Sequence, residues 1–134
     1  MEKFSTPTTP TVTAPDRHYV HKGWGYEEWF CNNDLYCGKK LHFWKGKRCS
    51  FHYHKLKDET FWVASGKVMV IYGDSDDMGT LRGAKSKFVT LEVGDTFYVP
   101  PLMRHQIIGI EETDLIEFSS KHLDEDSYRV FKGD

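Results

Sequence analysis

Residues 50–66 read Ser50-Phe51-His52-Tyr53-His54-Lys55-Leu56-Lys57-Asp58-Glu59-Thr60-Phe61-Trp62-Val63-Ala64-Ser65-Gly66, and the fold turns on this stretch. Side chains alternate across a β-strand, so within Arg48 to His54 the residues Ser50, His52 and His54 share one face and Cys49, Phe51 and Tyr53 the other. Both imidazoles therefore point the same way. The chain then turns and re-enters as Glu59-Thr60-Phe61-Trp62-Val63, whose odd-numbered positions set the Glu59 carboxylate beside them. A further ligand comes from far downstream, in Gly94-Asp95-Thr96-Phe97-Tyr98-Val99-Pro100 followed by Pro101-Leu102-Met103-Arg104-His105. Proline fixes that turn, and His105 begins the next strand. Imidazole nitrogens with one carboxylate oxygen suit zinc, manganese, iron or nickel, and leave coordination positions open for water or substrate. The expected metal ligands are thus His52, His54, Glu59 and His105.

Outward from this stretch, short runs rich in aromatic and β-branched residues recur between turn signals, the pattern of an all-β sandwich or barrel. Strands are expected at Tyr26 to Phe30, Lys39 to Trp44, Arg48 to His54, Glu59 to Ser65 and Lys67 to Tyr72. The series continues at Phe88 to Val93, Thr96 to Val99, His105 to Ile110 and Leu115 to Ser119. No stretch holds a 3.6-residue apolar period, so helix should be scarce. Turns are expected at Lys45-Gly46-Lys47, Ser65-Gly66, Gly94-Asp95 and Pro100-Pro101, and a polar loop at Gly73 to Lys85. Residues 1–17, dominated by Ser, Thr and Pro, read as a flexible or partner-docking tail ahead of one barrel domain at 18–134.

The chain has 134 residues, 39% of them hydrophobic and 28% charged, which suits one globular domain. Its 18 basic and 20 acidic residues form no basic stripe, so nucleic acid is not an expected partner. No apolar run approaches the roughly 18 residues that cross a bilayer, and the N-terminus lacks a secretory pattern, so no membrane partner and a cytoplasmic site are expected. Cys31, Cys37 and Cys49 lack metal or disulfide spacing and read as free thiols. His18, His21, His42 and His122 are read first as ordinary core or surface histidines, with His42 on a strand that could also face the interior.

The pairing of His52-x-His54-x4-Glu59-x6-Gly66 with Gly94-x5-Pro100-x4-His105 resembles the two signature motifs of the cupin superfamily. That resemblance implies a single-domain double-stranded β-helix, or jelly-roll barrel, with one divalent metal. It departs at Leu102, where many cupins carry glycine. More narrowly, Lys22 to Glu27, Ser50 to Gly66, Leu115 to Phe118 and Asp124 to Val130 resemble the type II mannose-6-phosphate isomerase-like cupins. These commonly carry glutamine at the position of His52 and arginine at that of Lys57. The resemblance implies a metal-dependent isomerase or epimerase acting on a sugar or sugar phosphate. In that reading Glu59 and Lys57 are catalytic candidates, and Lys57 and Arg104 are candidates for holding an anionic group. Substrate contacts are expected from Arg104, His42 and Tyr98, with Tyr53 a weaker candidate. Alternatives are an iron or nickel oxygenase and a non-catalytic sugar-binding module accessory to carbohydrate biosynthesis. Outward-facing Phe51 and Tyr53 would need cover, so a homodimer is expected.

Overall fold

Alternating short strands can bury one face only by stacking sheet on sheet, and this chain does so twice over. The computed structural model describes residues 6–12, 18–76 and 86–134. Strands run at β1 (His18–Lys22), β2 (Gly25–Asn32), β3 (Cys37–Phe43), β4 (Phe51–Tyr53), β5 (Glu59–Ser65) and β6 (Lys67–Gly73). They continue at β7 (Lys87–Glu92), β8 (Thr96–Val99), β9 (Arg104–Gly109), β10 (Thr113–Ser119) and β11 (Tyr128–Phe131), with one 3-10 turn at Asp124–Asp126. One antiparallel sheet has the order β1-β2-β3-β10-β5-β8 and the other β11-β4-β9-β6-β7. No α-helix occurs among the described residues.

Each of the expected strands is present, and two more, β1 and β11, were not expected. Both are sheet edges, and neither buries a residue fully, so neither carries the apolar alternation that marks a strand in sequence. The expected Arg48 to His54 strand shrinks to Phe51–Tyr53, because Arg48 bridges to Ile108 and the Cys49 amide donates to the Ile107 carbonyl in a separate short pairing. The strict alternation fails there: Cys49 and Ser50 both line the interior.

The inner face of the larger sheet changes character along its strands. In β3, Cys37, Lys39, Leu41 and Phe43 are buried on alternate positions. In β10 the buried set is Thr113, Leu115 and Glu117. Register sets Leu115 beside Leu41 and Val63, and Glu117 beside Lys39 and Phe61. One end of the interior is thus an apolar plug built on Trp24, Phe43, Val63, Val68, Val70 and Leu115, and the other is charged.

Phe51 is fully buried against Phe131, and Tyr53 stacks on Tyr128 at 5.2 Å, so β11 of the same chain covers the rings expected to seek a second subunit. Turns sit where expected. Gly66 joins β5 to β6 with φ +88°, and a Cβ there would lie 2.3 Å from the Glu112 carbonyl oxygen. In the 6–12 segment the Thr6 hydroxyl accepts the Asp34 amide at 2.8 Å. The remainder of the expected tail, and positions 77–85 of the expected loop, lie outside the described residues.

Candidate metal centre

His52 and His105 are directly opposed across β4 and β9, and His54 follows β4 immediately. One ring nitrogen from each of these three histidines lies within 4.8 Å of the others. Glu59 opens β5 with its side chain inward, and its Oε2 stands 3.5 Å from Nε2 of both His54 and His105. Sequence positions 52, 54, 59 and 105 therefore meet at one place between the sheets.

Hydrogen bonding fixes which nitrogen of each ring is available. Nδ1 of His52 lies 2.9 Å from the Ser50 carbonyl, that of His54 2.9 Å from the Asp126 carbonyl, and that of His105 3.1 Å from the Met103 carbonyl. A carbonyl oxygen only accepts, so each Nδ1 carries the proton and each Nε2 presents a lone pair. Burial, and for His52 the neighbouring His105, pushes its value down to about 3. Burial likewise takes His54 to about 3 and His105 to about 4, so all three rings are neutral. Glu59 goes the other way, because burial and then Glu117 disfavour its charge. Its Oε2 is buried with no hydrogen-bond partner among the described residues.

Lone pairs and a carboxylate oxygen converging with no donor side chain between them are an arrangement that a bound cation satisfies. The 3.5 Å Glu59–histidine separations match the edge, about 3.4 Å, between donors bound about 2.1 Å from a tetrahedral metal. The residues present fit a divalent ion. No cysteine joins the cluster among the described residues.

A cavity of about 700 Å³ opens over the cluster. Lys57 lines it, buried, donating to Glu117 Oε2 at 2.9 Å and to His122 Nδ1 at 2.7 Å. Burial alone would lower Lys57, but Glu117 and Glu59 hold it above its ordinary value. Burial would raise Glu117, but Lys57 and Lys39 take it down to about 2. His122 passes its other nitrogen to the exposed Asp124 at 2.9 Å.

The remaining expected substrate residues are not brought to the cavity. His42 lies on the outer face of β3, 2.6 Å from Asp114 and stacked on Tyr26 at 4.8 Å. Tyr98 points outward from β8, 55% exposed and hydrogen-bonded to Asp58. Arg104 also faces outward, with Nε 2.9 Å from Asp76 and its guanidinium 3.7 Å from the centre of the Tyr53 ring. In each case strand alternation decides: the inward positions belong to Leu41, Val99 and His105.

Asp126 carries weight that its residue type alone does not reveal. Its carboxylate accepts the amides of Lys55, Leu56 and Lys57 at 2.9, 3.0 and 3.0 Å, while its own carbonyl holds His54. The loop between two ligands is thus tied by one side chain. Glu117, Lys39 and Trp29 also line the cavity; for Glu117 and Lys39 the only sequence signal is a strand alternation that apolar residues share.

No family model matches the chain, and no curated protein matches it. Solved structures do. KdgF from Halomonas sp. is similar over 81% of this chain and 89% of its own, at 16% identity and a TM-score of 0.65. The capsular polysaccharide assembling protein CapF from Staphylococcus aureus is similar over 87% of this chain, at 18% identity and a TM-score of 0.70. An oxalate decarboxylase variant from Bacillus subtilis is similar over 96%, at 17% identity and a TM-score of 0.71. This chain spans 33% of the CapF chain and 34% of the decarboxylase chain. Identities this low establish shape and nothing finer: the two facing antiparallel sheets described above are a fold that this chain shares with these three structures.

Proposed function

We propose that the protein is a divalent-metal-dependent enzyme that isomerises or epimerises a sugar or sugar phosphate. The observation that carries this is the cluster of three histidine ring nitrogens, two of them 3.5 Å from the unpartnered Glu59 oxygen, in the lining of an accessible cavity. A bound divalent ion supplies Lewis-acid polarisation of a carbonyl or hydroxyl oxygen, which acidifies the neighbouring C–H. Lys57 keeps its charge beside Glu117, so it serves as a proton donor or a fixed cation, not as a resting base. Two of its three N–H groups are taken by Glu117 and His122, leaving one for a substrate oxygen. Glu59 acts as a base only where it releases the metal. The test is incubation of zinc-, manganese- or iron-loaded protein with aldose and ketose phosphates. Interconversion supports the reading, and neither turnover nor binding across the panel removes it.

A second reading, a non-catalytic sugar-binding module, draws on the pairing inside the cavity. Its buried carboxylates Glu59 and Glu117 are held by the candidate metal cluster and by Lys57, which leaves no dedicated base among the buried described residues. Saturable binding that survives Glu59→Gln with no product formed would favour it. Oxygen uptake by iron-loaded but not zinc-loaded protein would instead favour an oxygenase.

The homodimer reading now rests on the outer face of the larger sheet. Register sets exposed Phe118 and Tyr98 on either side of Thr60, with exposed Trp62 alongside. Sedimentation at micromolar concentration is the check, and a monomer there contradicts it.

A further inference from the structure

We propose that Arg129 is the anion-binding residue of the cavity, and that the ligand held over the metal centre is a small polyhydroxylated carboxylate or phosphate ester. This rests on the metal-centre reading above and names the substrate class of that site. Strand β11 pairs antiparallel with β4, and Arg129 is the direct partner of His52. Directly opposed residues on paired strands project from the same face with Cβ atoms about 5 Å apart. Arg129 therefore rises beside a metal-cluster histidine, and it lines the cavity while staying exposed within it.

Charge accounting across the cavity leaves Arg129, Lys132 and Lys22 as the lining cations without a paired carboxylate among the described residues. Lys39 is paired with Glu27 at 3.6 Å, Lys57 with Glu117 at 2.9 Å, and His122 with Asp124 at 2.9 Å. Among the described residues, no carboxylate lies within ion-pair distance of Arg129 or of Lys132 near it on the cavity wall. The Asp134 carboxylate, on the same wall, accepts the Arg48 amide at 2.8 Å. A divalent ion balanced by Glu59 alone adds one further positive charge. The lining's basic side chains, Lys22, Lys39, Lys57, Arg129 and Lys132, equal its carboxylates, Glu27, Glu59, Glu117, Asp124 and Asp134, in number, so the cavity is cationic once a divalent ion is bound. A cleft lined by one sign of charge draws and orients ligands of the other sign. Arginine differs from the surrounding lysines in offering a planar fork that meets a carboxylate or phosphate with two parallel hydrogen bonds. Arg104, the other arginine near the metal motifs, is already committed to Asp76 and Tyr53 on the outside. An anion on Arg129 leaves the hydroxyl end of the same molecule over the histidines, and about 700 Å³ accommodates a six-carbon chain.

The experiment is calorimetric titration of zinc-loaded protein with glucose, gluconate and glucose 6-phosphate, which share a carbon skeleton and differ in charge. At least one anion is expected to bind, weakening as salt rises, with glucose at least tenfold weaker. Which anion binds separates carboxylate from phosphate. Arg129→Gln is expected to lose tenfold or more in anion affinity with zinc content unchanged, Arg129→Lys to recover part of it, and Arg104→Gln to leave it alone. Wild-type anion affinity in Arg129→Gln, glucose binding as tightly as the anions, or binding of neither anion to the wild type overturns the proposal. Repeating the titration after chelation separates it from the metal reading. Anion binding that is indifferent to zinc but lost in Arg129→Gln sustains the arginine site and sinks the metal's part in it.

Discussion

At the scale of single residues, His105 shows how completely a ligand's orientation is decided by what lies behind it. Its Nδ1 proton is held by Met103, its ring lies between His52 and Phe61, and only Nε2 is left to act. His105→Ala should therefore reduce metal content from about one ion per chain to less than a tenth, read by elemental analysis of freshly purified protein. Retention of a full equivalent by that variant would mean the ion sits elsewhere. Leu102 makes the opposite kind of prediction. It adopts φ +74°, the left-handed conformation that costs a non-glycine residue about 1–2 kcal/mol, while its amide donates to the His54 carbonyl at 2.7 Å. Leu102→Gly should raise stability by up to about 1 kcal/mol, the relief being partly offset by glycine's greater freedom in the unfolded chain, and a urea midpoint measures it. The departure from glycine visible in the sequence leaves the backbone path intact. The meeting of His52, His54 and Glu59 with the distant His105 was legible because the residue types and their spacing are chemically distinctive. His42, Tyr98 and Arg104 were misplaced because proximity in sequence to a motif says nothing about which side of a strand a residue takes.

Between elements, the decisive contacts are polar, and that is why the sequence concealed them. Glu117 on β10 and Lys57 in the β4–β5 loop lie 60 positions apart, yet form a buried pair with Ser119 donating to the same carboxylate at 2.8 Å. Lys57 falls inside the first motif, but nothing in the spacing links it to Glu117. Glu117→Gln should cost about 3–5 kcal/mol, because it strands the Lys57 charge in the interior. Glu117→Leu combined with Lys57→Met should recover much of that loss. Chemical denaturation of both variants decides between this and a surface-like pair worth under about 1 kcal/mol. The Asp126 clasp is of the same kind. Asp126→Asn keeps the shape of the side chain but weakens three charge-assisted acceptances from Lys55, Leu56 and Lys57. Zinc affinity should fall about 10- to 100-fold, as expected when a group orienting a metal ligand is lost, and competition with a chromophoric chelator reports it.

For the whole molecule, acid sensitivity follows from the interior. The three cluster histidines have an ordinary value of 6.5, and the fold holds them at about 3, 3 and 4. As pH falls below 6.5 the unfolded chain takes up protons that the native state refuses, so the stability present above 6.5 drains away toward pH 4. Each such histidine costs about 1.4 kcal/mol per pH unit across that window. Glu59 has the opposite sign, since its raised value makes the native state the better proton acceptor, and it offsets part of the loss. In chelator, the urea midpoint should therefore be lower at pH 5.5 than at 7.5, and a flat or rising profile would contradict the neutral-imidazole assignment. The all-β class and most strand positions could be read beforehand because half-buried strands announce themselves by alternation. The two edge strands could not, since their place is granted by β2 and β4, not by their own side chains.

The clasp has a further consequence for how the protein is made. Asp126 grips the Lys55–Lys57 loop across 70 positions of chain, so a ribosome must deliver residue 126 before the candidate metal pocket can close. Until then His54 lacks the carbonyl that orients its ring, and the cluster cannot assemble in its final geometry.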